Sequence, residues 1–196
     1  MDSHRIVRIA MIAAVYAAAT LVAMLFLGWM SWGPVQFRIS EAITVLAMFT
    51  ADAIPGLWLG CVIANVANIA LSGVGTLGLL DVVFGSLATA LGAAFSWHFR
   101  KRPALAVLGP VLANAIIVPT YLPLMLQGLG FYTIPFTSIS LDGAYLPMYL
   151  FGFVAIGIGE AVVLYALGLP LAKALEATPL AQSLRSEGES RERRNA

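Results

Sequence analysis

Pro34–Val35–Gln36–Phe37–Arg38–Ile39–Ser40–Glu41–Ala42 runs into an apolar stretch that continues to Phe49. How this stretch is read decides the fold. Counted as the start of a short membrane helix, about residues 39–50, it gives the chain six spans and leaves both ends on one side. It also holds Arg38, the only Arg or Lys between Arg8 and Arg100, with Glu41 three residues on. Charges at membrane depth are costly, so those present face protein, water or a ligand. An internal Arg38–Glu41 salt bridge is one explanation. A first-turn acid favoured by the helix dipole is another, and a binding role is the third.

The rest of the chain supports the membrane reading. Of 196 residues, 60% are hydrophobic and only 11% charged, where a soluble domain has nearer a quarter charged. Mean hydropathy is +0.90. Several apolar runs reach or approach the ~20 residues a spanning helix needs. The fold class is therefore all-α, a polytopic membrane protein with helices at about 5–27, 39–50, 54–71, 79–99, 104–126 and 145–175. Residues 177–196 read as a polar, disordered cytoplasmic tail. The apolar run Ile6–Leu27 is too long for a signal-peptide core. Cys61 is the single cysteine, which excludes an intramolecular disulfide and a cysteine metal cluster.

Six spans also satisfy the positive-inside rule. Arg5, Arg8, Arg100–Lys101–Arg102, Lys173 and the basic residues of the tail then all face the cytoplasm, and Arg38 alone lies outside. On that topology Glu41 and Asp81 start helices near the outer surface. Asn65 and Asn68 lie in the outer half of the third helix, on one face. Convergence of these four predicts an outward-facing pocket for a small, flat, polar molecule rich in N–H donors. Inter-helix hydrogen bonding would explain either Asn without a ligand.

Other candidates are less specific. Trp29 and Trp32, in the Gly- and Pro-broken segment after the first helix, suit either interfacial anchors or stacking faces. Phe37 and Tyr132 would also stack. Asn114 lies mid-helix between prolines. Glu160, in Gly157–Ile158–Gly159–Glu160, is an acid deep in apolar sequence, equally a buried bridge or a ligand contact. Ala10, Ala14 and Ala18 repeat every fourth residue, which suits close helix packing inside the protein or a docking face for another subunit. The loop Ser72–Gly78 lacks the Lys and spacing of a phosphate-binding loop and reads as a gate or linker. His4 and His98 lie at cytoplasmic helix ends, away from the acids. No nucleophile–base pair or metal cluster can be assembled, and the chain reads as neither an enzyme nor an ATPase.

Several segments together resemble the QueT family. These are Val35–Gln36–Phe37–Arg38–Ile39–Ser40–Glu41–Ala42, Ala53–Ile54–Pro55–Gly56–Leu57 with Gly60–Cys61 and Ala64–Asn65, Leu80–Asp81–Val82–Val83–Phe84–Gly85–Ser86–Leu87–Ala88–Thr89, and Gly157–Ile158–Gly159–Glu160. The family comprises substrate-binding (S) components of energy-coupling factor (ECF) importers, assigned to queuosine precursors. The resemblance implies a six-helix subunit that captures a 7-deazaguanine base from outside. It would then join a coupling transmembrane subunit and two ATPase subunits, and Ala10, Ala14 and Ala18 resemble the docking motif. No cofactor or metal is implied. A 7-deazaguanine presents a ring N–H beside an exocyclic amine, a fork suited to one carboxylate such as Glu41 or Asp81. Its carbonyl would accept from Gln36, Arg38, Asn65 or Asn114. A self-sufficient proton-coupled carrier, or an S component for another vitamin, stands as the alternative.

Overall fold

In the computed structural model of the chain, the described residues are 3–27, 38–72, 75–128, 145–179 and 181–184, with the isolated positions 133, 138 and 140. The helices are α1 (Ser3–Leu27), a 3-10 helix (Ile39–Met48), α2 (Ala53–Ser72), a short turn (Gly75–Gly78) leading through a π segment (Asp81–Gly85) into α3 (Ser86–His98), then α4 (Pro103–Ala106), α5 (Leu108–Gly128) and α6 (Tyr145–Val163). A second π segment (Leu164–Gly168) joins α6 to α7 (Leu169–Glu176). No strand occurs among the described residues; Thr133 and Ser140 form an isolated antiparallel bridge.

Five continuous stretches are long and apolar enough to cross a membrane: Ser3–Leu27, Ala53–Leu71, Gly75–His98, Pro103–Met125 and Tyr145–Glu176. The shorter helix Ile39–Met48 is the sixth. Large apolar side chains on their outer faces are exposed, among them Met11, Phe26, Leu146 and Ile158. A soluble protein does not expose apolar surface on this scale, whereas lipid covers it without cost. The chain is a multi-pass helical membrane protein.

The short helix Ile39–Met48 gains length from its geometry, without reaching the ~30 Å of a full span. A 3-10 helix rises about 2.0 Å per residue against 1.5 Å for an α-helix, so its ten residues cover roughly 20 Å. Runs this long are uncommon because 3-10 hydrogen bonds are poorly aligned. Here packing supports the run on several sides, by α1, α3, α7 and the second π segment. Seven of its ten residues are buried, Ser40, Glu41 and Thr44 among them.

Small residues set the seams. A Cβ at Gly60 would lie 2.7 Å from the Ala13 carbonyl oxygen, and one at Gly56 would lie 2.9 Å from the Ile12 side chain. These two glycines are what let α2 lie against α1. Gly92 does the same between α3 and α5, where a Cβ would fall 2.6 Å from Pro110 Cα. Pro119 and Pro123 interrupt the hydrogen-bond ladder of α5. Alongside them, Tyr145 and Tyr149 of α6 donate hydroxyls to the Thr120 and Ile116 carbonyls.

Three apolar clusters fill the interior. One joins α5 and α6 around Val118, Leu122 and Met148; one joins the 3-10 helix to α4–α5 and α7 around Phe49, Val107 and Leu164; one joins α1 and α2 to the 3-10 helix around Tyr16, Ala47 and Leu57. Ala181, within the segment assigned to the tail, is buried against the second cluster. At the end of the bundle that carries the basic loop, Asp52 accepts from Arg5 Nε at 2.9 Å and pairs with Arg8 at 3.4 Å. Asp52 immediately precedes α2, and its carboxylate clamps the start of α1.

Candidate functional site

The site begins at Glu41, wholly buried on the first turn of the 3-10 helix. Its Oε1 accepts the Tyr16 hydroxyl from α1 at 2.5 Å and the Thr89 hydroxyl from α3 at 3.0 Å. The expected alternative of an Arg38–Glu41 salt bridge is corrected here. The structure gives no ion pair between Arg38 and Glu41, and Arg38 Nη1 and Glu41 Oε2 have no hydrogen-bond partner. The 3-10 geometry explains the separation. The Glu41 N–H bonds the Arg38 carbonyl at 2.8 Å, so the backbones close a turn while Glu41 turns to Tyr16 and Thr89.

From Glu41 the polar atoms continue across the bundle. Thr89 Oγ1 also lies 3.5 Å from Cys61 Sγ, and Asn65 Nδ2 lies 3.5 Å from the same sulfur. Asn65 Nδ2 donates to the Asp81 carbonyl at 2.8 Å and approaches Ser86 Oγ at 3.4 Å. Asp81 Oδ1 accepts the Tyr121 hydroxyl from α5 at 2.6 Å. Gly85 sits among these groups, where a Cβ would meet Tyr121 Oη at 3.3 Å, Asp81 Oδ1 at 3.4 Å and Asn65 Nδ2 at 3.5 Å. The π segment from Asp81 makes this possible. Its wider turn leaves the Asp81 carbonyl shared between the Ser86 N–H and Asn65.

Of the four residues expected to converge, Glu41, Asn65, Asn68 and Asp81, the structure joins Asn65 to Asp81 directly and to Glu41 through Cys61 and Thr89. Asn68 is buried one turn further along α2. Asn114 is buried in α5 and donates to the Pro110 carbonyl at 3.2 Å, leaving Oδ1 without a partner. Glu160 is buried in α6, both carboxylate oxygens without a partner. Arg38 lies within electrostatic reach of Glu41, Asp81 and Glu160. Gln36, Phe37, Trp29, Trp32 and Tyr132 lie outside the described residues.

Tyr16, Thr89 and Tyr121 were not singled out from the sequence, although they donate the hydrogen bonds that hold both acids. Thr89 closes the segment Gly85–Ser86–Leu87–Ala88–Thr89, where a hydroxyl four residues from Gly85 was a usable signal. Tyr16 and Tyr121 carry none, because aromatic residues in apolar helices are ordinary core.

Unpartnered buried polar atoms are the most informative feature. Arg38 Nη1, Ser40 Oγ, Glu41 Oε2, Asn114 Oδ1 and both oxygens of Glu160 have no hydrogen-bond partner. Native interiors leave few such groups, because each costs the desolvation it is not repaid. Together they provide acceptors and a guanidinium donor able to answer a ligand of complementary pattern.

On α1 the alanines divide cleanly. Ala13 and Ala17 are buried with Tyr16 against α2, whereas Ala10, Ala14 and Ala18 are exposed. Close packing inside the chain uses the first set and leaves the second free.

The sequence pattern of a family described as QueT transporter matches residues 6–177. The queuosine precursor transporter QueT of Lactococcus lactis subsp. cremoris is 36% identical over 89 residues, which cover 45% of this chain and 52% of that protein. The chain thus spans about half the length of that curated relative. No solved structure matches.

Proposed function

The chain belongs to the QueT transporter family, and from that premise we propose that it captures a queuosine precursor from outside the cell. The ligand class is a 7-deazaguanine base, such as the 7-cyano or 7-aminomethyl compound or queuine, or the nucleoside queuosine. The chain acts as the S component of an ECF-type importer in the cell membrane, with both termini cytoplasmic. It hands its ligand to a coupling transmembrane subunit powered by two separate ATPase subunits.

One observation carries the ligand reading: the Glu41 carboxylate, held at Oε1 by Tyr16 and Thr89, keeps Oε2 unpartnered, and Arg38, whose Nη1 is also unpartnered, lies within electrostatic reach of it. A rigidly held carboxylate accepts the paired N–H groups of a guanine-like edge, and the guanidinium donates to its carbonyl. An analogue lacking these groups leaves buried charge unanswered, which makes the recognition selective. Support for the partner reading comes from α1, whose Ala10, Ala14 and Ala18 stripe is exposed and flat enough for another helix to approach.

Mass spectrometry of small molecules released from the purified chain tests the ligand. A 7-deazaguanine is expected; consistent recovery of a different solute class would overturn it. Co-purification with a coupling subunit tests the partner. Uptake by the chain alone in proteoliposomes, driven by a proton gradient, would favour the self-sufficient carrier instead.

A further inference from the structure

Besides Asp52 at the basic end, three acids are buried among the described residues, and the chain treats them differently. Glu41 receives two hydroxyl donors and Asp81 receives one. Glu160 receives none at either oxygen, although it is 1% exposed. Arg38 is the one described cation near these acids, and its charge is shared among all three. The other described Arg and Lys residues are Arg5, Arg8, Arg100, Lys101, Arg102 and Lys173, at the opposite end of the bundle. A carboxylate with no donor in such a place is answered by a positive charge that arrives from elsewhere.

The surroundings of Glu160 suit a small cation. The acid lies one turn before the π segment Leu164–Gly168. That segment packs on the 3-10 helix, where a Cβ at Gly168 would lie 3.1 Å from Val45 and 3.7 Å from Ala42 Cα. Gly168 lies two turns beyond Glu160, so this part of the chain runs against the 3-10 helix, and Glu160 and Glu41 are near enough to interact electrostatically. One turn away on its other side, Gly157 faces only Ala115 of α5, a Cβ there meeting the Ala115 methyl at 3.5 Å. Asn114, next to Ala115, carries another unpartnered acceptor, Oδ1. An ammonium group offers three donors and no acceptor, the complement of a buried carboxylate whose two oxygens both lack a donor.

We infer that Glu160 forms a subsite for a cationic amino group on the ligand, separate from the ring-recognising acids Glu41 and Asp81. The inference deepens the deazaguanine reading and rests on it. It makes the chain selective for precursors bearing a primary or secondary amine over neutral ones of the same ring. A nitrile at the same position accepts hydrogen bonds and donates none, so it leaves Glu160 unanswered.

Equilibrium binding of 7-aminomethyl-7-deazaguanine and 7-cyano-7-deazaguanine to the purified full chain tests this. The parent chain is expected to prefer the amine by at least roughly tenfold, well inside the ~10⁴-fold by which a site built to hydrogen-bond a group rejects an analogue lacking it. In Glu160→Gln, whose amide can donate to a nitrile, the amine loses that advantage and the nitrile binds no more weakly than before. Glu160→Asp, which keeps the charge and shortens its reach, also weakens the amine selectively, and it serves if the Gln variant does not fold. An unchanged ratio in the variant, or equal loss of both ligands, would overturn the subsite and leave the deazaguanine reading intact. Binding of neither ligand by a folded parent chain would bring down that reading and the subsite together.

Discussion

Tyr16 and Glu41 are 25 residues apart, and the hydroxyl of one meets the carboxylate of the other at 2.5 Å inside the bundle. The contact fixes α1 to the 3-10 helix at the level of the candidate site. Thr89 approaches the same oxygen from α3, so three elements are held by one atom. Removing either donor weakens the orientation of Glu41 without removing its charge.

Tyr16→Phe is expected to lower the stability of the purified chain by about 1–3 kcal/mol, the range for a buried acceptor losing its donor. Thr89→Val should act in the same direction. Because both donors serve Oε1, the double variant should lose less or more than the sum, with coupling of about 0.5 kcal/mol or greater. Thermal unfolding in detergent measures all three, and strict additivity would show that the two donors act independently.

Glu41→Gln keeps the shape and removes the charge. Capture of the deazaguanine probe should weaken by about 2–5 kcal/mol, as when a buried, charged hydrogen bond is broken. Equilibrium binding measures it. Unchanged affinity would remove Glu41 from the site.

The two small-residue faces of α1 and α2 should separate experimentally. Gly60→Ala places a methyl 2.7 Å from the Ala13 carbonyl, and the overpacking should cost about 1–3 kcal/mol of stability. Ala14→Leu adds bulk on an exposed face and should leave the isolated chain as stable as before. The same change should abolish co-purification with the coupling subunit. Retained assembly in Ala14→Leu would place the docking face elsewhere.

Topology has a direct reporter. Cys61 is 2% exposed, so the native chain should resist a membrane-impermeant maleimide. A cysteine introduced as Lys101→Cys should then label only when the reagent reaches the cytoplasmic side. Labelling of intact cells from outside would invert the orientation.

Legibility differed sharply between helices and contacts. The apolar runs located α1, α2 and the long final span to within a few residues, because a membrane span must satisfy its backbone internally over a fixed thickness. The same runs did not show that Ile39–Met48 is a 3-10 helix, since that geometry is imposed by its neighbours. Nor did they reveal the two π segments, one starting at Asp81 and the other a turn beyond Glu160.

The amino-acid sequence alone determined that this is a six-helix membrane bundle, and its few interior polar residues marked Glu41, Asp81, Asn65 and Glu160 for attention. Only the tertiary structure decided which of them meet, through Tyr16, Thr89 and Tyr121, across separations of 25, 48 and 40 residues. The physical reason is that lipid and protein interior are almost equally apolar. Hydropathy therefore shows where a helix crosses but carries little information about which face it turns inward. That rotation is set by small-residue seams such as Gly56–Gly60 against α1, and it separates an acid held by two hydroxyls from one left without a donor.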